Sequence, residues 1–300
     1  MEVDIIRGLQ QIRTGFGDWF FSLITNAGDE LFFIAVAVVL YWCIDKRFGF
    51  KLINVYLVGQ IGIEGLKALF ARPRPYTYEG VVSVTDKTNG YSFPSGHSYS
   101  ISNLSTQVCN QYRKNYLFIV GGILSILVAF SRLYLGQHFV SDVVVGLALG
   151  VGFAFGLSAL FELLGDKEEY IILGIVPIAA IVLIVMLATN SLGNAGNILK
   201  VVGAYSAIVI GYFIEKKYLN VSVKCEKWWQ QIIKLVIGVA IVLIFKEGLK
   251  LILPKDIPLL YQFLRYFLVG ISASLGAPAL FRLLRLEKKE KAEEIAVKQE

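Results

Sequence analysis

Charged side chains are scarce in this sequence. Only 17% of its 300 residues are Asp, Glu, Lys or Arg, whereas 56% are hydrophobic. This composition excludes an ordinary soluble domain, in which about a quarter of the residues are charged. Charge-free windows of roughly 17 to 25 apolar residues are typical of membrane-spanning helices. The predicted fold class is therefore all-α, a polytopic helical membrane protein that has the bilayer as a partner.

Cysteine is also rare. The three cysteines, Cys43, Cys109 and Cys225, are widely separated and form no CxxC pair. This scatter argues against a disulfide framework and against a structural zinc site. The sequence therefore predicts neither a metal ligand set nor a cofactor.

The charges that are present do not form a nucleic-acid arm. The formal net charge is +6, and the C-terminal stretch "LEKKEKAEEIAVKQE" alternates in sign. No basic leader with an apolar core and a cleavage site opens the chain, because Met1 to Arg13 is mixed and polar. We therefore expect the first span to be its own membrane anchor, and we predict no nucleic-acid partner.

Apolar windows predict about nine transmembrane helices. Residues 15–27 are aromatic but short, which indicates an interfacial helix. The predicted domains are a catalytic core with this interfacial N-terminal segment over 1–165, four accessory transmembrane helices over 166–285, and a charged cytoplasmic tail over 286–300. The nine windows are 29–45, 50–70, 97–112, 116–132, 139–162, 170–189, 200–214, 230–250 and 259–281.

Basic residues in short loops predict the orientation of the chain. An extracytoplasmic N-terminus assigns most of them to the cytoplasmic side, and it assigns the end of the second span to the opposite face. The predicted location is the plasma membrane, or a luminal face if the membrane is an internal one. The basic residues assigned to the cytoplasm are Lys46, Arg47, Lys51, Arg113, Lys114, Lys167, Lys216, Lys217, Lys224, Lys227 and those between Arg282 and Lys298.

Both histidines lie in polar breaks between apolar spans. His97 lies in "GYSFPSGHSYSIS", and His138 lies in "SRLYLGQHFVSD". A third polar segment, "KALFARPRP" over 67–75, closes the second span. A chain that alternates sides brings the end of span two, the start of span three and the connection between spans four and five to one face. The three segments are therefore predicted to meet.

Lys67, Arg74 and Arg132 are three cations in these segments. Each would cost about 2.5–3.5 kcal/mol near the bilayer centre unless an anion compensated it, and arginine forks suit phosphate oxygens. Ser95 and Gly96 precede a helix start, where free N–H groups and the helix dipole favour an anion. We therefore predict that these five residues surround a phosphate.

His138 and Asp142 are four residues apart and share one helix face. The carboxylate can accept a hydrogen bond from one imidazole nitrogen and leave the other free to attack. His97 can donate a proton to a leaving oxygen. This set predicts phosphoryl transfer through a phosphohistidine, without metal. Arg72 and Ser131 are further candidates, and Glu64 is expected to pair with Lys67 one turn later.

The three segments resemble the signature of the type 2 phosphatidic acid phosphatase superfamily. The matching patterns are KxxxxxxRP at 67–75, PSGH at 94–97 and SRxxxxxHxxxD at 131–142. The resemblance implies His138 as nucleophile, Asp142 as its orienting partner and His97 as general acid. In outline the chain also resembles glucose-6-phosphatase and the sphingosine-phosphate phosphatases. The resemblance to this superfamily implies a membrane phosphatase that acts on a phosphomonoester or diphosphate, with a lipid phosphate as the expected substrate.

Three other functions stay open. A second alcohol could resolve the phosphohistidine, which would make the protein a lipid phosphotransferase. A glucose-6-phosphatase-like hydrolase would act on a soluble phosphoester. A phosphate-binding transporter would also use intramembrane cations, although it has no evident need for the His138–Asp142 pair. The sequence does not distinguish candidate lipids by any motif.

Overall fold

The structure is a computed structural model that describes residues 1–87, 90–165, 167–168, 180–181, 184, 188, 195–253 and 258–288. The described residues are helical with connecting turns and contain no strand, so the all-α prediction is confirmed. The helices are α1 Glu2–Gln11, α2 Gly15–Thr25, α3 Glu30–Val39, α4 Lys46–Phe70, α5 Gly96–Tyr112, α6 Asn115–Tyr134, α7 Val140–Leu164, α8 Ala195–Ile214, α9 Trp228–Ile252, α10 Pro258–Ile271 and α11 Ala277–Leu283.

The predicted count of nine transmembrane helices is not confirmed. Five described segments are long and apolar enough to cross a membrane: 46–77, 115–134, 140–164, 196–219 and 260–283. A sixth span results if residues 15–28 and 30–44, which are bent by 51°, count as one broken span. The predicted interfacial helix at 15–27 belongs to that bent pair. The predicted span 170–189 lies outside the described residues, except at positions 180, 181, 184 and 188.

Helix α5, predicted as the third span, is not among the five segments that are long and apolar enough to cross a membrane. It is 17 residues long and carries nine Ser, Thr, Asn or Gln side chains. Most of them are buried, and several donate hydrogen bonds to backbone carbonyls, as Ser102 Oγ does to the carbonyl of Leu147 at 3.1 Å. Neighbouring helices satisfy these polar groups, so α5 needs little apolar surface of its own.

The chain divides into two compact units. The first unit contains residues 1–37 and 51–201 and holds all the predicted site residues. The second contains residues 38–50 and the chain from Val202 onward. In the second unit Lys46 Nζ contacts the buried Glu215 carboxylate at 2.6 Å, and Phe50 stacks on Tyr212 with 3.7 Å between ring centroids.

Two glycines let α5 and α7 pack closely. A Cβ on Gly150 would lie 2.6 Å from the carbonyl oxygen of Tyr99, and a Cβ on Gly146 would lie 2.5 Å from that of Ser95. Any larger side chain would push the two helices apart. Because His97 lies on α5 and His138 directly precedes α7, this contact sets the separation of the two histidines.

The N-terminal helix α1 covers the loop that follows α4. Ile6 is fully buried and packs with Val81 and Phe139. On the same helix Arg7 donates to the carbonyl of Glu79, and Gln10 exchanges two hydrogen bonds with the backbone of Val82. Helix α1 is thereby held beside Phe139, the residue that follows His138.

Candidate active site

Arg74 is buried next to His138. Helix α4 ends at Phe70, and the next residue, Ala71, adopts a left-handed φ of 44°. The Nε of Arg74 then donates to the carbonyl of Gly90 at 3.0 Å, and its NH1 donates to the carbonyl of Gln137 at 3.3 Å. The same NH1 lies 3.4 Å from Nε2 of His138. One guanidinium therefore faces the imidazole nitrogen that is expected to attack.

Lys67 lies beside the start of α5. Its Nζ is 3.8 Å from the position that a Cβ on Gly96 would occupy. It also contacts Glu64 Oε1 at 2.7 Å, in agreement with the pairing expected from their spacing. Glu64 therefore holds the ammonium at the mouth of the predicted phosphate cradle.

Ser95 caps α5 and uses its own N–H elsewhere. Its Oγ accepts hydrogen bonds from the N–H and the hydroxyl of Ser98, which is the usual role of an N-cap serine. Its N–H donates to the backbone carbonyl of Asp142 at 3.0 Å. The remaining donors at this helix start are the first-turn N–H groups of Gly96 and His97, which have no partner within an α-helix.

Arg132 is a buried cation with an unused donor. Its side chain is 3% exposed, and its NH1 donates to Thr25 Oγ1 at 2.8 Å. Its buried Nε has no hydrogen-bond partner among the described residues. By contrast, the hydroxyl of Ser131 donates to the carbonyl of Val128 one turn earlier at 2.6 Å. Arg132 can therefore accept an anion, whereas Ser131 is engaged by its own helix.

His138 has its two ring nitrogens in different surroundings. Nδ1 lies 3.5 Å from Oδ2 of Asp142, slightly longer than a hydrogen bond, and Nε2 faces Arg74. Oδ2 also accepts a hydrogen bond from the Phe139 N–H at 2.8 Å. The predicted His138–Asp142 pair is thus brought together, with Asp142 beside Nδ1 and Arg74 beside Nε2. Catalytic hydrogen bonds are often long in a free enzyme and tighten with substrate.

His138 lies in the connection between α6 and α7, and its environment favours the neutral imidazole. Burial, together with the positive charges of Arg132, Arg74 and Lys67, lowers the pKa of His138 well below its ordinary value. A neutral imidazole keeps a lone pair and can act as a nucleophile at neutral pH.

His97 lies in the first turn of α5, close to the same cations. Lys67 Nζ lies 3.8 Å from the Cβ position of Gly96, the residue before His97. On the other side, a Cβ on Gly28 would lie 2.8 Å from Cγ1 of Val128, one turn before Arg132. Gly28 packs against its backbone, since a Cβ there would lie 2.9 Å from the His97 carbonyl oxygen. The structure therefore gathers both histidines and all three predicted cations around one region of the first unit.

Arg72 donates its hydrogen bonds to two carboxylates and a hydroxyl rather than to His138. Its NH1 donates to Asp142 Oδ1 at 2.8 Å and to Ser141 Oγ at 2.6 Å, and its NH2 donates to Glu2 Oε2 at 2.5 Å. Arg72 is therefore bound to other side chains of the protein, whereas Arg74 faces the His138 nitrogen at which a phosphoryl group is expected. Glu2 was not predicted, since it lies 70 residues from Arg72 and belongs to no motif.

The arrangement defines a class of protein. In a helical membrane protein, three predicted phosphate-binding cations lie near a histidine that is paired with a carboxylate, and a second histidine lies nearby. Within the described residues, no three His, Cys, Asp or Glu side chains are grouped so that they could hold a metal ion.

Sequence comparison agrees with this class. The family described as "PAP2 superfamily" matches residues 48–166, and "PAP2 superfamily phosphatase, transmembrane extension" matches residues 199–289. The two matches together cover more than two thirds of the chain. PAP2 is the type 2 phosphatidic acid phosphatase superfamily that the three motifs predicted. The chain belongs to this superfamily and is a membrane-embedded phosphoric ester hydrolase.

Individual relatives are distant. An undecaprenyl-diphosphatase of Sulfolobus acidocaldarius is 29% identical over 49% of this chain and 71% of its own length. A probable sphingosine-1-phosphate phosphatase of Dictyostelium discoideum is 29% identical over 50% of this chain, which spans only 40% of that relative. A transmembrane PAP2-type phosphatidylglycerolphosphate phosphatase from Bacillus subtilis has a TM-score of 0.46 and 25% identity, covering 54% of this chain and 84% of its own.

Proposed function

We propose that the protein hydrolyses a lipid phosphomonoester or diphosphate through a phosphohistidine on His138. The observation that carries this proposal is the division of roles within one imidazole. Nδ1 faces Asp142 at 3.5 Å, and Nε2 lies 3.4 Å from Arg74 NH1. A phosphoryl group held by Arg74 would meet the free lone pair of a neutral His138. Lys67, Arg132 and the N–H groups at the start of α5 would neutralise its remaining oxygens.

Two displacements complete the reaction. First, Nε2 of His138 attacks phosphorus, the bond to the leaving oxygen breaks, and His97 gives its proton to that oxygen. Water then attacks the phosphohistidine, the P–N bond breaks, and His97 accepts a proton from the water. Phosphate leaves, and both histidines return to their starting states. Asp142 orients His138 and stabilises the imidazolium that forms while the phosphoryl group is attached.

A cleft beside Arg72 supports a lipid substrate. It is lined by Phe70, Ala71, Arg72, Pro73 and Phe93 and has a volume of about 360 Å³. Phe70 and Phe93 meet edge to face with 4.8 Å between ring centroids, although Phe70 is still 57% exposed. Both rings are close in sequence to phosphate-site residues, Arg74 and Ser95. The carbon chain nearest the phosphate would therefore bury apolar surface in this cleft.

Removing one wall of the cleft should weaken binding of long-chain substrates. We expect Phe70→Ser to raise KM for a long-chain lipid phosphate by about five- to tenfold. Burying a whole Phe side chain is worth about 1.5–3 kcal/mol, and a lipid chain would cover only the 57% of Phe70 that is exposed, which is worth roughly half of that. KM for a short soluble phosphoester should stay within about twofold. The matched control is Phe118→Ser, which removes an equally exposed phenylalanine (53%) from α6. Equal effects of Phe70→Ser on both substrates would contradict the assignment of the cleft.

The proposed mechanism also predicts the response to metals and to a phosphate mimic. We expect full activity in excess chelator, because Lys67, Arg74 and Arg132 supply the positive charge that a metal would otherwise provide. Orthovanadate should inhibit, since it can adopt the trigonal-bipyramidal geometry of the transferring phosphoryl group. Initial rates with EDTA, and with magnesium added back, measure this directly. Activity that disappeared in chelator and returned with magnesium would contradict the site.

The function itself is tested by phosphate release from a panel of lipid phosphates, lipid diphosphates and soluble phosphoesters, using the purified protein. Release of free phosphate from lipids supports the hydrolase. Phosphate that appears only on an added alcohol indicates the phosphotransferase, and turnover confined to soluble esters indicates the glucose-6-phosphatase-like alternative. Binding without any turnover would favour the transporter.

We also propose that the catalytic site faces the extracytoplasmic side of the plasma membrane, or the lumen of an internal membrane. This orientation is supported by the basic residues in the loops at the other ends of the helices, such as Arg113 and Lys114 between α5 and α6. The proposed domains remain a catalytic core over 1–165, accessory helices over 166–285 and a charged tail over 286–300. Cysteine labelling of single-cysteine variants in intact cells tests the orientation.

A further inference from the structure

The N-terminal helix reaches the candidate active site through one carboxylate, that of Glu2. Its Oε1 accepts a hydrogen bond from the Ser141 N–H at 2.8 Å, in the first turn of α7. Its Oε2 accepts from Arg72 NH2 at 2.5 Å and from Ser141 Oγ at 3.3 Å. First-turn N–H groups have no partner within their own helix. Glu2 therefore caps α7 from a different helix and binds Arg72 at the same time.

Arg72 connects this cap to the proposed catalytic carboxylate. Its NH1 donates to Asp142 Oδ1 at 2.8 Å, and its guanidinium carbon lies 4.1 Å from the centre of the Phe139 ring. A planar guanidinium can bind two carboxylates at fixed angles, which a lysine ammonium cannot do. With Oδ1 held by Arg72 and Oδ2 held by the Phe139 N–H, Asp142 presents Oδ2 to His138.

Glu2 is ionised in this setting. Partial burial opposes its charge, but the hydrogen bonds from the Ser141 N–H and from Arg72 outweigh it and lower the pKa of Glu2 below its ordinary value. Without Glu2, Arg72 would keep a single carboxylate partner and its NH2 would be free to turn. Asp142 would then lose the constraint on the angle at which it meets the imidazole.

We propose that Glu2 and Arg72 are positioning residues that act through Asp142 to hold the His138 imidazole in line for attack. Neither side chain touches the phosphoryl group in this role. The proposal rests on the nucleophilic function proposed for His138. Glu2 lies outside the three sequence motifs, on helix α1, whereas Arg72 occupies a variable position within the first motif.

The test compares Glu2→Gln, Arg72→Lys and the double variant, with the affinity tag at the C-terminus so that α1 is unaltered. We expect Glu2→Gln to lower kcat about tenfold, as loss of an orienting partner does at other histidine sites, with KM within about twofold. Because Glu2 acts through Arg72, the double variant should be no slower than Arg72→Lys alone. The assays use a soluble phosphoester, because Arg72 also lines the cleft proposed for the lipid chain. With this substrate, a residue that bound the phosphate would raise KM instead.

The matched control is Asp4→Asn, which removes another first-turn carboxylate of α1. Asp4 is exposed and contacts Arg7 and the N-terminal amine. The inference is overturned if Glu2→Gln is as active as Asp4→Asn, if Arg72→Lys raises KM while kcat is unchanged, or if the two single effects simply multiply. If Arg72→Lys does not fold, the comparison of kcat between Glu2→Gln and Asp4→Asn still tests the proposal. His138→Ala in the same assay separates the two proposals, because its retained activity would refute the nucleophile itself.

Discussion

Replacing His138 by alanine should lower the rate of phosphate release by about 10⁴-fold or more, the scale seen when a covalent nucleophile is removed. The imidazole would supply the attacking electron pair. Neither Arg74, 3.4 Å from Nε2, nor Asp142 can replace it, because a guanidinium has no free lone pair and the carboxylate lies on the far side of the ring. Initial rates of phosphate release with saturating lipid phosphate measure the loss.

A matched control for His138→Ala is Ser131→Ala, a buried change within the same motif. The Ser131 hydroxyl donates to the carbonyl of Val128 within its own helix, so its loss should leave the rate within about threefold of wild type. Both variants should elute as folded protein with unchanged melting temperature. His138→Ala protein that retained turnover would rule out the phosphohistidine, and a large loss in Ser131→Ala would place that hydroxyl in the mechanism.

The meeting of the three motifs was predictable because it depends on chain direction rather than on side-chain detail. Successive membrane helices alternate in direction, so the end of one helix and the start of the next lie at one face. The structure brings Lys67, His97 and Arg132 together in this way, from the end of α4, the start of α5 and the end of α6. The spacing within a motif predicts the His138–Asp142 pair, because residues four apart on a helix lie on the same side.

Apolar windows alone do not decide which segments span the membrane. Whether a moderately polar segment is buried among other helices or faces lipid depends on its neighbours, and a window contains no neighbours. In α5 the polar side chains of Ser98 and Ser102 pack against Gly146 and Gly150 of α7. The glycines that make this packing close lie about 50 residues further along the chain.

The contacts of Glu2 could not be predicted from the sequence for a related reason. Its partners lie 70 and 139 residues away, and a glutamate in the first turn of a polar helix has a sufficient local explanation in the helix dipole. The contacts of Asp142 were predicted only in part. Its side chain was expected to serve His138, whereas it also binds Arg72 and the Phe139 N–H, and its backbone carbonyl accepts from Ser95. Asp142 thus links the proposed nucleophile to the predicted phosphate cradle.

Replacing His97 by alanine should lower activity by an amount that depends on the leaving group. A lipid alcohol leaves as a strongly basic alkoxide unless it is protonated, so we expect a loss of about 10²- to 10⁴-fold with a lipid monoester. A lipid diphosphate releases a less basic phosphate oxygen and should suffer less. 4-Nitrophenyl phosphate, whose leaving group is stable without a proton, should lose at least about tenfold less than the monoester. Initial rates with the three substrates measure this order.

This graded loss separates proton donation from a general weakening of the site. His97 follows Gly96, beside which Lys67 Nζ lies, so its removal could also disturb phosphate binding. Such a disturbance would act on the phosphoryl group, which all three substrates share, and would reduce their rates equally. His138→Ala serves as the control, because loss of the nucleophile should stop all three reactions. Equal losses in His97→Ala would therefore refute the general-acid role, whereas a loss that follows leaving-group basicity can arise only if His97 protonates the departing oxygen.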